Sequence, residues 1–247
     1  MTDFTTDLKK VVQSILSISF WILVWFIISK IVNREVLVAS PFSVLKRLIA
    51  LVQTDYFWAS AVMSLVRIML GFIIAVISAI VVAVLSVKYK IVQILIEPLM
   101  IIIKSTPVAS FIILAIVWLE LSHIPAFTSF LMVFPVMWTN IFTGIKATDK
   151  NLLEMVRIFN LKKSKVFTKL YIPSVMPYFK SACIASIGLS WKAGIAAEVL
   201  CTPKNSIGKY LYESKVYLET ADLFAWTIVI ILLSLILEKI LIRVINK

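Results

Sequence analysis

The sequence has few charged residues, little glycine and almost no cysteine or histidine. Charged side chains make up 15% of its 247 residues, whereas a soluble globular domain carries about 25%. Five glycines and eight prolines exclude collagen, a flexible linker and a disordered tail. The two cysteines, Cys183 and Cys201, exclude a disulfide framework. A lone histidine, His123, excludes a histidine-based triad or metal site within one chain, so we expect it to face water in a short turn.

Apolar side chains are abundant instead, at 61% of the residues. A soluble protein of this length has no core that could bury them all, so we predict an all-α integral membrane protein. A spanning helix needs about 20 apolar residues. Stretches of this kind predict six transmembrane helices in a single domain, 1–247, with spans near 12–32, 60–87, 91–121, 124–145, 175–200 and 223–242. The first span lacks a small-x-small cleavage site, so we expect it not to be a cleaved signal peptide.

The basic residues predict the orientation of these spans. The sequence has 25 lysines and arginines against 13 acidic residues, a formal charge of +12. With both termini in the cytoplasm, fourteen basic residues fall on the inner side and seven on the outer side. That asymmetry follows the positive-inside rule. We therefore interpret the basic excess as topology and contact with anionic lipid, not as nucleic-acid binding.

A segment outside the spans, 38–58, predicts a short amphipathic helix at the outer interface. Ser40 is a good N-cap residue, and Pro41 fits the first helical position. Lys46 and Arg47 fall on the polar side of this helix. The apolar positions recur at helical spacing: Leu45, Leu48, Ile49 and Val52.

Between the fourth and fifth spans lies a basic loop, 146–173, that predicts a helix, a break and a second helix. Asn151 can cap the first helix, and the carboxylate of Glu154 can reach back to the cap N–H. Asn160 tolerates the left-handed conformation that ends a helix, and Pro173 marks the turn into the membrane. An apolar stripe runs along the first helix: Leu152, Met155, Val156 and Phe159. Because such a stripe is unfavourable to expose, we predict that the loop docks onto a cytoplasmic partner.

This loop resembles that of permease subunits of binding-protein-dependent ABC importers. The family pattern is Glu-Ala-Ala, three residues, Gly, nine residues and Ile-x-Leu-Pro. Glu154, Asn160 and Pro173 stand at the matching positions of this sequence. Met155 and Val156 depart from the two alanines, and Asn160 departs from the glycine, which is a mild change because asparagine tolerates the same backbone conformation.

The resemblance extends to roughly 37–242 through three membrane segments. These segments are SLVRIMLGF (64–72), KSTPVASFIILAIVWL (104–119) and LSWKAGIAAEVL (189–200). They look like the permeases of the nitrate, sulfonate and taurine branch, which also includes vitamin-precursor importers. The resemblance implies a homodimer in a bacterial inner membrane, two cytoplasmic ABC ATPases and an extracytoplasmic substrate-binding protein. ATP and Mg would bind the ATPases, since this chain has no G-x-x-x-x-G-K-[ST] motif, and we expect no cofactor here. The residues implied in ATPase coupling are Asn151, Leu152, Glu154, Met155, Phe159, Asn160 and Pro173.

Five charged residues lie within or at the edge of the predicted spans, where charges usually face a cavity or a partner: Arg67, Glu97, Lys104, Lys192 and Glu198. Two interpretations stay open. In the first, the two lysines, doubled in a dimer, give the pathway a positive field that favours an anion. In the second, they pair with Glu97 or Glu198 across helices and fix the packing. The cost of an unpaired lysine at mid-membrane favours the second.

The predicted function is that of a permease subunit, which moves a small solute by ATP-driven alternating access between two states of the spans. A secondary transporter or channel that works alone is the alternative, although such a protein does not need the large 146–173 loop. A membrane enzyme is disfavoured because the spans hold no clustered histidine or aspartate. The substrate stays open among nitrate, sulfonates, taurine, bicarbonate, phosphonates and vitamin precursors.

Overall fold

A computed structural model describes residues 2–159 and 162–245 of the chain. Within these residues all regular elements are helical and no strand forms, which confirms the predicted all-α class. A π-helical stretch, Phe167–Tyr171, joins α8 to α9. The α-helices are α1 (Thr2–Val32), α2 (Pro41–Val52), α3 (Asp55–Lys88), α4 (Lys90–Ser105), α5 (Val108–Trp118), α6 (Ile124–Lys146), α7 (Lys150–Ile158), α8 (Lys163–Val166), α9 (Ile172–Cys201), α10 (Ile207–Val216) and α11 (Thr220–Ile245).

Several helices have the length and composition of membrane spans. In the described part of the chain, four segments meet both criteria and coincide with predicted spans: Ile15–Val32, Asp55–Lys88, Ile124–Lys146 and Ser164–Cys201. The bent pair α4 and α5 makes a fifth if it counts as one span. The helix α11 covers the last predicted span, 223–242. These elements are those of a multi-pass membrane protein.

The predicted third span, 91–121, is not one straight helix. It divides into α4 and α5, whose axes meet at 106°. Pro107 has no backbone N–H, and it disfavours the α conformation in the preceding residue, Thr106, whose φ and ψ are −84° and 131°. Lys104 therefore lies in the last turn of α4, next to the bend, and not in the middle of a continuous span.

The predicted turn at Pro173 is wrong. A continuous helical run of 38 residues, Ser164–Cys201, passes through this proline. The π-helical stretch lies directly before Pro173. Such local widening of a helix re-satisfies the backbone groups that a proline frees. The second half of the predicted loop is thus joined to the following span without a break.

Contacts divide the chain into two compact units. The first unit comprises Met1–Trp58 and Tyr210–Ile230, so it contains α1, α2 and the beginning of α11. The second comprises Ala59–Lys209 and Ile231–Lys247, so it contains most of α3, all of α4 to α9 and the end of α11. All five charged residues predicted at membrane depth belong to the second unit.

The first unit is organised around α2. Its predicted cap is confirmed, because Ser40 Oγ accepts a hydrogen bond of 3.1 Å from the backbone N–H of Ser43. Arg47 donates hydrogen bonds to both carboxylate oxygens of Asp222, and these bonds raise the pKa of the guanidinium. Stacked aromatic rings pack the unit: Trp25 on Phe224, and Trp226 on Phe57 and Tyr210.

The core of the second unit lies where α3, α6 and α9 meet. Gly71 allows α3 to approach α6 closely, because a Cβ at this position would lie 2.0 Å from the carbonyl oxygen of Ala126. Ser129 of α6 and Ser190 of α9 share a buried hydrogen bond of 2.6 Å. The buried hydrophobic core of this unit includes Phe72, Met100, Val133, Met137, Trp138, Ile141, Cys183 and Ile187.

Candidate functional site

The loop helix α7 is capped by a different residue from the one predicted. Asp149 Oδ1 accepts a hydrogen bond of 2.8 Å from the N–H of Asn151, and the helix begins at Lys150. Asn151 therefore lies inside the helix, and the predicted capping box with Glu154 does not form. Glu154 is the fifth residue of the helix and its side chain is exposed, so it is available to an external partner.

One face of α7 is apolar and exposed. Leu152 is 41% exposed and Met155 is 48% exposed, and Phe159, just beyond the helix, is 68% exposed. Ile158 adjoins them and is 80% exposed, although it was not among the predicted residues. Asn160, the predicted break, lies outside the described residues. We refer to Leu152, Met155, Ile158 and Phe159 as the α7 face; an exposed apolar patch of this kind is typical of an interaction surface.

Pro173, the last of the predicted coupling residues, is exposed in the first turn of α9. It lies within the continuous run Ser164–Cys201. The same run carries Lys192 and Glu198. No loop therefore interrupts the chain between Ser164, where the run begins, and these two charged residues.

The two charged residues of α4 have polar, uncharged partners. Glu97 is exposed and accepts a hydrogen bond from the side-chain amide of Gln93, one turn earlier. Lys104 Nζ donates a 2.9 Å hydrogen bond to Thr139 Oγ1 on α6. In the described structure, neither Lys104 nor Lys192 forms an ion pair with Glu97. The described partner of Lys104 is a hydroxyl group, which leaves its positive charge without a counter-charge.

Lys192 lies on an uncovered stripe of α9. Ser181, Ala185 and Lys192 are exposed, and a Cβ added at Gly188 would meet no atom within 4 Å. Their three- and four-residue spacing places them on one side of the helix. Among the residues the structure describes, Lys192 forms no ion pair. We call Ser181, Ala185, Gly188 and Lys192 the α9 stripe.

Glu198 is fully buried and its partners differ from those predicted. Its Oε2 accepts hydrogen bonds from Ser64 Oγ at 2.8 Å and from the N–H of Gly208 at 3.2 Å. The nearest cation is Arg67, whose Nη1 lies 4.0 Å from Oε1. Glu198 is thus held by α3 and by the start of α10, and the predicted pairing with Lys192 is not formed. Ser64 and Gly208 were missed because neither residue type signals a carboxylate partner in sequence.

Arg67 also fixes the connection between α9 and α10. Its guanidinium donates to the carbonyl oxygens of Lys204 at 2.9 Å and Asn205 at 3.2 Å. Asn205 has a φ of 50°, in the left-handed region, which asparagine tolerates better than most residues. Gly208 permits the close contact with α9, since a Cβ there would lie 2.3 Å from Glu198 Cβ. Arg67, Glu198, Ser64 and Gly208 form one cluster, which we call the Glu198 cluster.

The described residues contain no group of three or more His, Cys, Asp and Glu side chains that could hold a metal ion. His123 has a side chain 71% exposed, and its Nε2 lies 3.8 Å from a carboxylate oxygen of Glu120. Cys183 and Cys201 are buried, free thiols. The second unit therefore has three candidate functional features: the exposed α7 face, the uncovered α9 stripe and the buried Glu198 cluster.

Comparison with known proteins identifies the class to which such a chain belongs. The family model of the "binding-protein-dependent transport system inner membrane component" matches residues 68–247. A probable ABC transporter permease protein of Brucella melitensis is 25% identical over 88% of this chain and 87% of its own length. The bicarbonate transport system permease protein CmpB of Synechococcus elongatus is 26% identical over 74% of this chain and 66% of its own. The putative aliphatic sulfonates transport permease protein SsuC of Bacillus subtilis is 20% identical over 84% and 76%.

The chain is all-helical and has several membrane-length helices, and its relatives are named as permeases. These findings together describe the membrane-spanning part of a transporter. The chain belongs to the family of inner membrane components of binding-protein-dependent transport systems, and it is an ABC transporter permease subunit. The family assignment predicted from the 146–173 loop and the three membrane segments is confirmed.

Proposed function

We propose that the chain is the permease of an importer in which ATP hydrolysis by separate subunits drives alternating access. The observation that carries this proposal is the α7 face, which is exposed on a helix next to the start of a continuous run, Ser164–Cys201. A partner that moves α7 and the adjoining end of the run moves the span with it. The run carries Lys192 on an uncovered side, so the same movement reaches the residues proposed to line the pathway.

The proposed topology has six spans: α1, α3, the bent pair α4 and α5, α6, α9 and α11. Both termini lie in the cytoplasm of a bacterial inner membrane, and the whole chain serves as one permease domain. The two-to-one excess of basic residues at the inner ends supports this orientation. The helix α11 has 26 residues and contains an uncharged stretch, 223–237, which supports its assignment as a span.

Two ABC ATPases are the proposed partners of the α7 face, one for each copy of the chain. The apolar side chains of the α7 face enter the ATPase, and Glu154 pairs with a basic residue there, because its carboxylate is exposed and does not cap the helix. Asn151, Asn160 and Pro173 complete the coupling element. ATP and Mg bind the ATPases, and this chain holds no cofactor.

The translocation pathway is proposed to lie between two copies of the chain that face each other across the α9 stripe. Small residues let helix backbones approach closely, and the α9 stripe is small-sided and uncovered in a single copy. Lys192 and Lys104 then supply positive charge to the pathway. An extracytoplasmic binding protein delivers the solute.

A small anion is the proposed solute. The charges of Lys104 and Lys192 have no described carboxylate partner, and two relatives are named for bicarbonate and for aliphatic sulfonates. Nitrate and phosphonates are anions like these solutes, and zwitterionic taurine presents a sulfonate group, whereas a neutral vitamin precursor gains nothing from the lysines. Charge therefore favours bicarbonate, nitrate, sulfonates or phosphonates, followed by taurine.

Site-specific crosslinking tests the proposal. Cys183 and Cys201 are replaced by alanine, and a single cysteine carrying a photocrosslinker is placed at Ile158, with a matched control at Tyr217, which is 71% exposed outside the loop. We expect the Ile158 probe to capture an ABC ATPase in intact cells and the Tyr217 probe to capture none. Equal capture at both positions, or no ATPase at Ile158, contradicts the proposal and favours a transporter that works alone.

A further inference from the structure

An apolar groove of about 460 Å³ lies in the second unit, and no residue of the α7 face, the α9 stripe or the Glu198 cluster lines it. It runs between the end of α3, the end of α6 and the junction of the π-helical stretch with α9. Its apolar walls include Ile80, Val84, Ile141, Phe167, Val175 and Phe179. Lys88, at the end of α3, is the one charged residue that lines it among those the structure describes, and no carboxylate does.

The groove and the α9 stripe are on different sides of α9. At 3.6 residues per turn, Ile172, Val175 and Phe179 lie roughly 80–180° around the helix from Ser181 and Ala185. A second copy of the chain seated on the α9 stripe therefore leaves the groove uncovered. In a membrane protein, a side of a spanning bundle that no helix covers is in contact with lipid.

We propose that this groove binds an acyl chain of a phospholipid with an acidic headgroup, and that the headgroup pairs with Lys88. An apolar slot with a single cation at one end complements a ligand that has an apolar tail and an anionic head. The groove's volume is within the range of about 300–1,000 Å³ found for small-molecule sites. A hydrophilic solute finds too few polar partners there, because Lys88 is joined only by the Tyr171 hydroxyl among the polar side chains of the lining.

The proposed orientation adds a second reason for an acidic headgroup. It places Lys88 at the cytoplasmic end of α3, and the cytoplasmic leaflet attracts basic residues at helix ends through its anionic lipids. The inference rests on the proposed function in this respect and in the seating of a second copy on the α9 stripe. Phe167 and Tyr171 belong to the π-helical stretch, so a bound acyl chain contacts the junction through which α8 continues into α9.

Native mass spectrometry of the full chain tests the proposal. The protein is released from vesicles of equimolar phosphatidylglycerol and phosphatidylcholine, and the lipids that stay bound are counted. Val84→Trp fills the groove, and Lys88→Gln removes its charge. The matched controls are Val81→Trp and Lys90→Gln, because both residues are exposed on or next to the same helix but do not line the groove. Size-exclusion elution and circular dichroism verify folding, and Val84→Phe replaces the tryptophan variant if that one fails.

We expect the unmodified chain to retain phosphatidylglycerol over phosphatidylcholine by about fivefold, the ratio that corresponds to ~1 kcal/mol for one lysine near an anionic lipid. Lys88→Gln brings this ratio close to one with the lipid count unchanged. Val84→Trp lowers the count by one lipid per copy, and both controls match the unmodified chain.

Three results overturn the proposal. The first is an equal lipid ratio for Lys88→Gln and Lys90→Gln, and the second is an equal lipid count for Val84→Trp and Val81→Trp. The third is a change of oligomeric state in Val84→Trp without loss of lipid, which identifies the groove as an interface between copies. No ATPase or binding protein takes part in this measurement. A negative result for lipid binding therefore leaves the proposed ATPase docking at α7 unaffected, and a negative crosslinking result at α7 leaves the lipid proposal unaffected.

Discussion

The guanidinium of Arg67 and the carboxylate of Glu198 face each other inside the second unit, with Nη1 and Oε1 4.0 Å apart. Arg67 comes from α3 and Glu198 from α9, and neither side chain is accessible to more than a small extent, at 12% and 0% exposure. Ser64 and Gly208 bind the other carboxylate oxygen. The Glu198 cluster therefore joins α3, α9 and α10 through one buried charge.

Replacing Glu198 by alanine tests how much this buried charge contributes. Glu198→Ala leaves Arg67 without its carboxylate and Ser64 and Gly208 without an acceptor, and losing one partner of a buried ion pair costs about 3–5 kcal/mol. We expect a clearly lower unfolding midpoint, measured by tryptophan fluorescence in detergent. Glu120→Ala is the control, because the Glu120 side chain is 83% exposed, and its midpoint should be unchanged. Equal midpoints in the two variants would show that the cluster does not stabilise the fold.

Two glycine-to-alanine substitutions should have opposite outcomes. Gly71→Ala puts a methyl group 2.0 Å from a backbone oxygen of α6, so it forces α3 and α6 apart and should destabilise the chain by about 1–3 kcal/mol. Gly188→Ala meets open space and gains up to about 1 kcal/mol of helix propensity. Thermal unfolding of both variants in the same detergent makes the comparison. A midpoint for Gly71→Ala that is not below that of Gly188→Ala contradicts the described packing of α3 on α6.

Substitutions on α7 should uncouple ATP hydrolysis from the membrane domain. Ile158→Asp puts a charge on the α7 face, and Glu154→Ala removes the exposed carboxylate; both should abolish the substrate-stimulated part of ATP hydrolysis in the reconstituted complex. Their free energies of unfolding should stay within about 0.5 kcal/mol of that of the unmodified chain, as is usual for surface substitutions. Tyr217→Asp is the matched exposed control and should retain stimulation. Full stimulation of ATP hydrolysis in Glu154→Ala would show that Glu154 has no role in coupling.

Neutralising Lys192 separates a pathway role from a packing role. Since Lys192 is exposed on the α9 stripe and forms no ion pair within the described structure, Lys192→Met should leave assembly intact. Uptake of an anionic solute into proteoliposomes should fall by tenfold or more, on the order of 1.4 kcal/mol for the lost charge. Lys192→Arg keeps the charge and should retain most of the uptake. Failure of Lys192→Met to assemble would identify the residue as a packing element.

Local signals in the sequence predicted their elements well. The cap of α2 was predictable because Ser40 and Pro41 act on their immediate neighbours. Most of the membrane-length helices were predictable because each depends on its own apolar composition. The prediction of Asn151 as the cap of α7 was wrong. Asp149 takes that position, and because both residue types are good caps, only the backbone decides between them.

Contacts between distant segments could not be predicted in the same way. One of the two interpretations of the lysines paired them with Glu97 or Glu198, because an unpaired lysine at mid-membrane is costly. Within the chain, the hydrogen bonds of Glu198 come from a serine on α3 and a backbone N–H of α10. Which partner lies closest depends on how the helices pack, and a single sequence holds no direct record of that packing. Proline is a helix-breaking residue type, so Pro107 explains where the predicted span 91–121 divides, but the angle of 106° depends on what α4 and α5 pack against.

The continuous helical run from Ser164 to Cys201 has the length of a lever that reaches across a membrane. Its 38 residues measure ~57 Å at 1.5 Å per residue, nearly twice the thickness of the hydrocarbon layer of a bilayer. If such a rod pivots by ~5° about its midpoint, each tip shifts by ~2.5 Å in the opposite sense. A push at one end thus widens a gap at that end as it narrows one at the other, which is the geometry that a two-sided gate requires.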